Sequence, residues 1–249
     1  MAGHDPSGGA GIQADIEAIA ANGCHAATVI TCLTTQNTCE FKESITVSAE
    51  NFLEQVSYIQ NDMTISACKI GVIADLGILS GIEKILQGLG SIPVILDPVI
   101  SAGTGQKINT EDIYSALHDK LMPFATVITP NSLEARELTG LDDLDKAAEE
   151  LIRRGCQSVL ITGAHEQTDA VINKYYRDRD KPVLFTWERL PGRYHGSGCT
   201  LSSAITAHLA RGASLQQAVN AGQEYTWHTL NQAMSLGKNQ FHPNRFYSS

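Results

Sequence analysis

Residues 93–100 read Pro-Val-Ile-Leu-Asp-Pro-Val-Ile, or PVILDPVI. Apolar and β-branched residues run without alternation up to one acid, Asp97, which a proline follows at once. A strand with one wet face would alternate in polarity. A near-continuous apolar run is what a strand covered on both faces of a parallel sheet requires. The acid at its end is either a group on the metal or phosphate side of a site or the start of a turn.

Four further runs share this character: 26–31 (AATVIT), 67–73 (ACKIGVI), 126–129 (TVIT) and 158–162 (SVLIT). Between them, 12–22, 49–62, 75–88, 110–121, 132–139 and 144–155 show helical spacing. Alternating strands and helices predict a doubly wound α/β sandwich, with a mostly parallel central sheet, helices on both faces and right-handed crossovers. From about 170 the pattern changes. Residues 170–175 and 182–188 alternate in polarity around a charged turn, which predicts an edge β-hairpin. Two long helices follow, over 198–211 and 214–235. The polar tail from Gly237 has only Phe241 and Phe246 to pin it. No long linker, repeat or low-complexity tract divides the chain, so one domain over 1–249 is expected. The opening MAGHDPSGGAG is a glycine-rich loop with no strand visible ahead of it, so the first strand reads as short or missing.

Composition narrows the function. Apolar residues make up 43% and charged residues 18% of 249, the balance of an ordinary water-soluble fold. No apolar run approaches the ~18 residues of a membrane span, and no basic-then-apolar leader opens the chain. The cytoplasm is the default expectation. A net charge of −9 argues against nucleic acid, whose binders present a basic face. An acidic protein still binds phosphates locally through backbone N–H groups. The six cysteines, Cys24, Cys32, Cys39, Cys68, Cys156 and Cys199, form no zinc-type pair and no disulfide framework is expected. Five sit in or beside apolar runs and read as small buried hydrophobes.

Cys199 differs because of its neighbours. His195-Gly196-Ser197-Gly198-Cys199 puts a glycine turn at a helix start. Successive N–H groups and the helix dipole there suit an anion, such as a phosphoryl group in transfer. A thiol in the first turn has its pKa lowered, so a thiolate is expected near neutral pH. The alternative is a plain turn with a buried cysteine. His195 would meet a nucleotide phosphate or be an ordinary loop residue. Asn131 and Glu134 lie one helical turn apart just after 126–129, where a strand's end feeds a helix. They would hold hydrated Mg²⁺ and phosphates, or simply cap the helix. Gln36 offers an acceptor and a donor side by side, the complement of a ring nitrogen beside an exocyclic amine; otherwise it is a solvated loop residue. The loop 101–105 (SAGTG) reads as a flexible phosphate-side loop.

The segments AGHDPSGGAGIQAD, TTQNT, KIGV, LDPV, ITPNSLEA and HGSGCTLSSAI, in this order, resemble the phosphomethylpyrimidine kinases of the ribokinase-like superfamily, across residues 2–212. The resemblance implies a ribokinase-like fold. It also implies ATP- and Mg²⁺-dependent phosphorylation of 4-amino-5-hydroxymethyl-2-methylpyrimidine and then of its monophosphate. By the same resemblance, Cys199 with Gly196, Ser197 and Gly198 forms the catalytic turn, with cysteine where sugar kinases carry an aspartate base. Gly3, Asp15, Gln36 and Val72 line the pyrimidine pocket. Asn131, Thr162, Gly163 and His195 face the nucleotide, and Glu134 and Asp97 serve the metal. Val72 stands where many members have Met, Thr162 replaces a frequent Lys, and Gly103 lies where some members have Lys. Two other readings stand beside this one: a pyridoxal kinase of the same superfamily, and a non-catalytic pyrimidine-binding protein. The edge hairpin offers a homodimer contact.

Overall fold

The structure is a computed structural model, and it describes residues 1–100, 111–177 and 181–247. Gly103, the loop 101–105 and most of the hairpin turn lie outside the described residues. Among the described residues nine strands form two ladders. The first holds β1 (Ala2–His4), β2 (Ile30–Gln36) and β3 (Phe41–Thr46). The second holds, in spatial order, β4 (Cys68–Ile70), β5 (Val94–Leu96), β6 (Val127–Ile128), β7 (Ser158–Ile161), β8 (Ala170–Arg177) and β9 (Val183–Glu188). β1 runs parallel to β2, and β4 to β7 are all parallel. β8 and β9 are antiparallel, which confirms the edge hairpin. Two backbone hydrogen bonds join the ladders: the Met1 amine donates to Lys69 O at 2.8 Å, and Gly71 N donates to Met1 O at 2.9 Å.

The apolar runs are continuous because each face of each strand meets its own core. Val94 and Leu96 of β5 pack into one cluster, and Ile95 packs into the other. Ile128 and Val127 of β6 divide in the same way, as do Val159 and Leu160 of β7. One cluster is closed by α3 (Leu76–Gly88), whose Ile78, Leu79 and Ile82 are fully buried. The other is closed by α7 (Ser197–Ala210) and α8 (Leu215–Asn231), through Leu201, Ile205 and Val219. Each such aliphatic side chain contributes about 1.5–3 kcal/mol on burial. Gly222 of α8 lets the helices close up, since a Cβ there would stand 2.6 Å from Ile205 Cγ1.

The first strand is short rather than missing: β1 is three residues long and is held by pairing on both sides. The strand expected over 26–31 instead runs over Ile30–Gln36, and 26–29 lies outside any strand. Its partner β3 passed unseen, since its exposed, alternating residues mark only an edge strand. The remaining helices are α1 (Gly11–Ala21), α2 (Ala49–Asp62), α4 (Glu111–Lys120), α5 (Ser132–Thr139) and α6 (Leu144–Arg153). They sit within a residue or two of the sequence reading. The cysteines divide: Cys32 and Cys156 are buried as expected, Cys24 and Cys68 only partly, and Cys39 is exposed.

Candidate active site

The strands' carboxyl ends carry one connected set of polar groups. α7 opens on Gly196, whose φ of 77° and close approach to Gly9 O (2.0 Å from a Cβ) admit glycine alone. No side chain caps this helix, so its first N–H groups are left for an external acceptor. Gly198 is different. A Cβ there would meet nothing nearer than Asp97 Oδ1 at 3.8 Å, so the protein's own packing does not demand glycine at that place.

Beneath this turn lies a buried ionic cluster. Lys69 of β4, 5% exposed, reaches Asp15 of α1 at 2.9 and 3.2 Å and Asp97 at 4.0 Å. Ser203 donates to Asp15 at 2.7 Å and Ser202 donates to Asp97 at 3.2 Å. Burial disfavours the Lys69 ammonium, but Asp15, Cys199 and Asp97 together outweigh that cost and raise its pKa. Burial raises the Asp97 carboxyl, and Asp15 adds to this against the pull of Lys69, Ser202 and Cys199.

The Cys199 thiol belongs to this cluster and corrects the thiolate expectation. It lies beside Asp97 and the Gly11 N–H. Its pKa is pushed up to about 12, first by burial. Lys69 and the Gly11 N–H pull the other way, while Asp97 and Asp15 oppose a further negative charge. Part of the residue is open to solvent, but the two carboxylates beside it persist whatever its exposure. The helix start is outweighed, and Cys199 is a protonated thiol.

Asn131 and Glu134 take up the capping arrangement. Asn131 Oδ1 accepts from the Leu133 and Glu134 N–H groups at 2.9 Å, and Glu134 accepts from Asn131 N at 2.9 Å. The cap does not use up Glu134. Its second oxygen accepts from Ile100 N at 3.4 Å, and its pKa is pushed up to about 8 by burial and then by Asp97. Two neighbouring carboxyl groups that resist ionising together suit a cation between them and a polyphosphate. Among the described residues no cluster of three or more ligating side chains occurs. Mg²⁺ needs none, because it keeps waters and takes phosphate oxygens. Thr162 pairs with Asn131 as an isolated bridge, and Gly163 N donates to Asn173 Oδ1 at 2.9 Å. These residues therefore share the ends of β6 and β7.

Other candidates occupy different surroundings. Gln36 is not in a loop; it ends β2 and donates to Thr34 Oγ1 at 2.9 Å, and Thr34 donates to His4 O. Gly3 packs against Val72 and Cys32, which would stand 2.6 and 2.9 Å from a Cβ. Asp15 is 3% exposed and engaged by Lys69 and Ser203, so it lies beneath the pocket rather than open within it. His195 is 4% exposed and bonds Asp5 at 2.7 Å, so it ties the glycine-rich loop to the α7 turn. A nucleotide contact from that ring nitrogen is already taken.

Several residues escaped the sequence reading. Lys69 left a signal, a lone lysine inside an apolar run, which asks for a buried partner. Asp5 accepts from Ser7 and Ala10 as well as His195. Arg245 is 2% exposed and holds Thr200 Oγ1 (3.0 Å), Glu17 (2.9 Å) and the Gly8 and Gly9 carbonyls. It, rather than the 46%-exposed Phe246, pins the tail.

The family model for phosphomethylpyrimidine kinase matches residues 5–244. A hydroxymethylpyrimidine/phosphomethylpyrimidine kinase of Rhizobium meliloti is 38% identical over 232 residues, covering 90% of this chain and 86% of its own. The phosphomethylpyrimidine kinase of Clostridium difficile superposes with a TM-score of 0.78 at 31% identity, over 90% and 94% of the two chains. An ADP complex of Bacillus subtilis pyridoxal kinase superposes with a TM-score of 0.90 at 28% identity, over 98% and 95%. Among the described residues no helix is long and apolar enough to cross a membrane.

Proposed function

The chain belongs to the phosphomethylpyrimidine kinase family, and from that premise we propose the work of its individual residues. It is a ribokinase-like phosphotransferase of thiamin biosynthesis. It phosphorylates 4-amino-5-hydroxymethyl-2-methylpyrimidine and then the monophosphate, with ATP as donor. The observation that carries the site assignment is the uncapped α7 turn standing directly over the Asp97, Lys69 and Asp15 cluster.

In our reading the N–H groups of 197–199 receive the transferring phosphoryl, whose oxygens gain charge in transfer. Gly198 is small so that the phosphoryl can approach. Gln36 reads the aminopyrimidine edge, with its amide oriented by Thr34, and Val72 and Gly3 form the wall beside it. Asn131, Thr162 and Gly163 face the nucleotide. Mg²⁺, held through Glu134 with Asp97 nearby, would neutralise phosphate charge.

Cys199 takes the alcohol proton in the first phosphorylation. Since the thiol starts protonated, it receives that proton as it passes its own to the neighbouring Asp97. The second step needs no such acceptor, because the attacking phosphate is already anionic. His195 and Arg245 position the glycine-rich loop without touching substrate. The exposed hairpin residues Ile172, Val183 and Leu184 support a homodimer contact.

The close superposition on a pyridoxal kinase favours one second reading, a kinase that also accepts pyridoxal. Incubating the protein with ATP, Mg²⁺ and both alcohols, and weighing the products, separates the two. We expect phosphorylated aminopyrimidine in excess, lost in Glu134→Ala. Pyridoxal phosphate as the main product would replace our assignment of Gln36. Absence of any product would leave a binding protein.

A further inference from the structure

The loop between β7 and β8, residues 162–169, is longer than the roughly 2–5 residues that close an ordinary hairpin. It has little apolar anchorage, since Ala164, His165, Gln167, Thr168 and Asp169 are all exposed. Its path is nevertheless fixed. Gly163 N donates to Asn173 Oδ1 at 2.9 Å, and Asn173, 7% exposed, donates in turn to Gln223 of α8 at 2.8 Å. Glu166 N donates to Gly163 O at 3.1 Å and Thr168 N to Glu166 O at 3.0 Å.

Two arginines supply the rest. Arg189 directly follows β9, and the pairing of Ala170 with Glu188 returns it beside the loop. Its guanidinium donates to three loop carbonyls at once: Nη1 to Ala164 O at 2.8 Å, Nη2 to Glu166 O at 2.8 Å and Nε to Thr168 O at 2.9 Å. These carbonyls alternate along the chain, so one rigid fork sets three peptide planes. Arg136 of α5 adds a second hold, a two-pronged pair with the Glu166 carboxylate at 2.7 and 3.0 Å. Arg136 stands on the helix whose cap contains Asn131 and Glu134.

The loop leaves the carboxyl end of β7, where Thr162 bridges to Asn131. Gly3 and Gln36 lie on β1 and β2, and Val72 follows β4, which β5 and β6 separate from β7. We propose that Arg189, backed by Arg136, is a positioning residue for the nucleotide: it presets the 162–169 loop, so that ATP need not order it, and leaves pyrimidine binding alone. This rests on the reading that the ends of β6 and β7 face the nucleotide. A loop that held its bound shape in only one molecule of ten would weaken nucleotide binding about tenfold.

The test measures ADP affinity by calorimetry, with Tm, for the full chain and for Arg189→Ala, Arg189→Lys and Arg136→Met. Steady-state KM values are taken for ATP and for the pyrimidine alcohol. The ADP Kd should rise about tenfold or more in Arg189→Ala, and by less in Arg136→Met. KM for ATP should follow, while KM for the alcohol stays within about twofold. Arg189→Lys keeps the charge without the planar fork, so it should recover little; it also carries the test if the alanine variant fails to fold. Unchanged ADP affinity in both Arg189 variants, an equal rise in both KM values, or full recovery with lysine would overturn the proposal. Hydrogen exchange separates it from the reading beneath it, since ADP should slow exchange across 162–169 in the unaltered protein. No slowing would place the nucleotide elsewhere and sink both. Slowing, with normal ADP binding by the Arg189 variants, would sink the role of Arg189 alone.

Discussion

Replacing Lys69 with Met keeps the length of the side chain and removes its charge. Asp15 and Asp97, 3% and 4% exposed, would then share a dry site without the ammonium 2.9 and 4.0 Å away. Breaking a buried ion pair by removing one partner costs about 3–5 kcal/mol, because the remaining charge is left uncompensated. For a chain of this size that corresponds to a fall in Tm of roughly 6–20 °C, at about 2–4 °C per kcal/mol. The sign of the pH dependence follows. Lys69 is raised above its unfolded value, so its contribution is full at neutral pH and is lost only as pH rises through its folded value, far into the alkaline range. In Lys69→Met the stranded carboxyls take up protons, so the loss should be larger at pH 8 than at pH 5.5. Lys69→Met with Asp15→Asn should regain a substantial part of it. Urea melts of the three proteins at both pH values measure this. A single-variant cost under about 1 kcal/mol, the range of exposed pairs, or a cost independent of pH, would refute the buried cluster as described.

Glu134, with its pKa near 8, must shed a proton to hold a cation. Mg²⁺ affinity measured calorimetrically with a bound ATP analogue should therefore rise as pH increases through about 8, and Glu134→Gln should flatten that rise. Cys199, pushed up to about 12, should react with iodoacetamide at pH 8 far more slowly than exposed Cys39; peptide mapping after brief labelling checks the order. Arg245→Ala removes a buried clamp on the Gly8 and Gly9 carbonyls. It should cost about 3–5 kcal/mol and raise KM more than it lowers kcat, as steady-state kinetics with chemical denaturation would show.

Where the sequence was legible, one physical rule did the work. Strands 4 to 7 lie between two helical layers, so their apolar runs were unbroken and easily read. The glycine turn ahead of α7 was equally visible, because Gly196 and Gly198 bracket a helix start. What stayed hidden depends on chain segments far apart in sequence. β1 is recognisable only through pairing to Val29 and Lys69, and three residues give no periodicity. The thiol of Cys199 looked activated because the sequence shows its helix and not the carboxyls of Asp15 and Asp97, which arrive from two other elements. Arg245 sat in a polar tail, and nothing local announces a partner as distant as Gly9.

The most direct test of the account is single-turnover phosphorylation by Cys199→Ala, followed separately for the hydroxymethyl alcohol and for its monophosphate. If the thiol relays the alcohol's proton, the first transfer should slow by about 10²–10⁴-fold, the usual worth of a proton-transfer group, while the second slows little. Equal losses in both transfers would contradict that role and leave the α7 turn as a phosphate cradle alone.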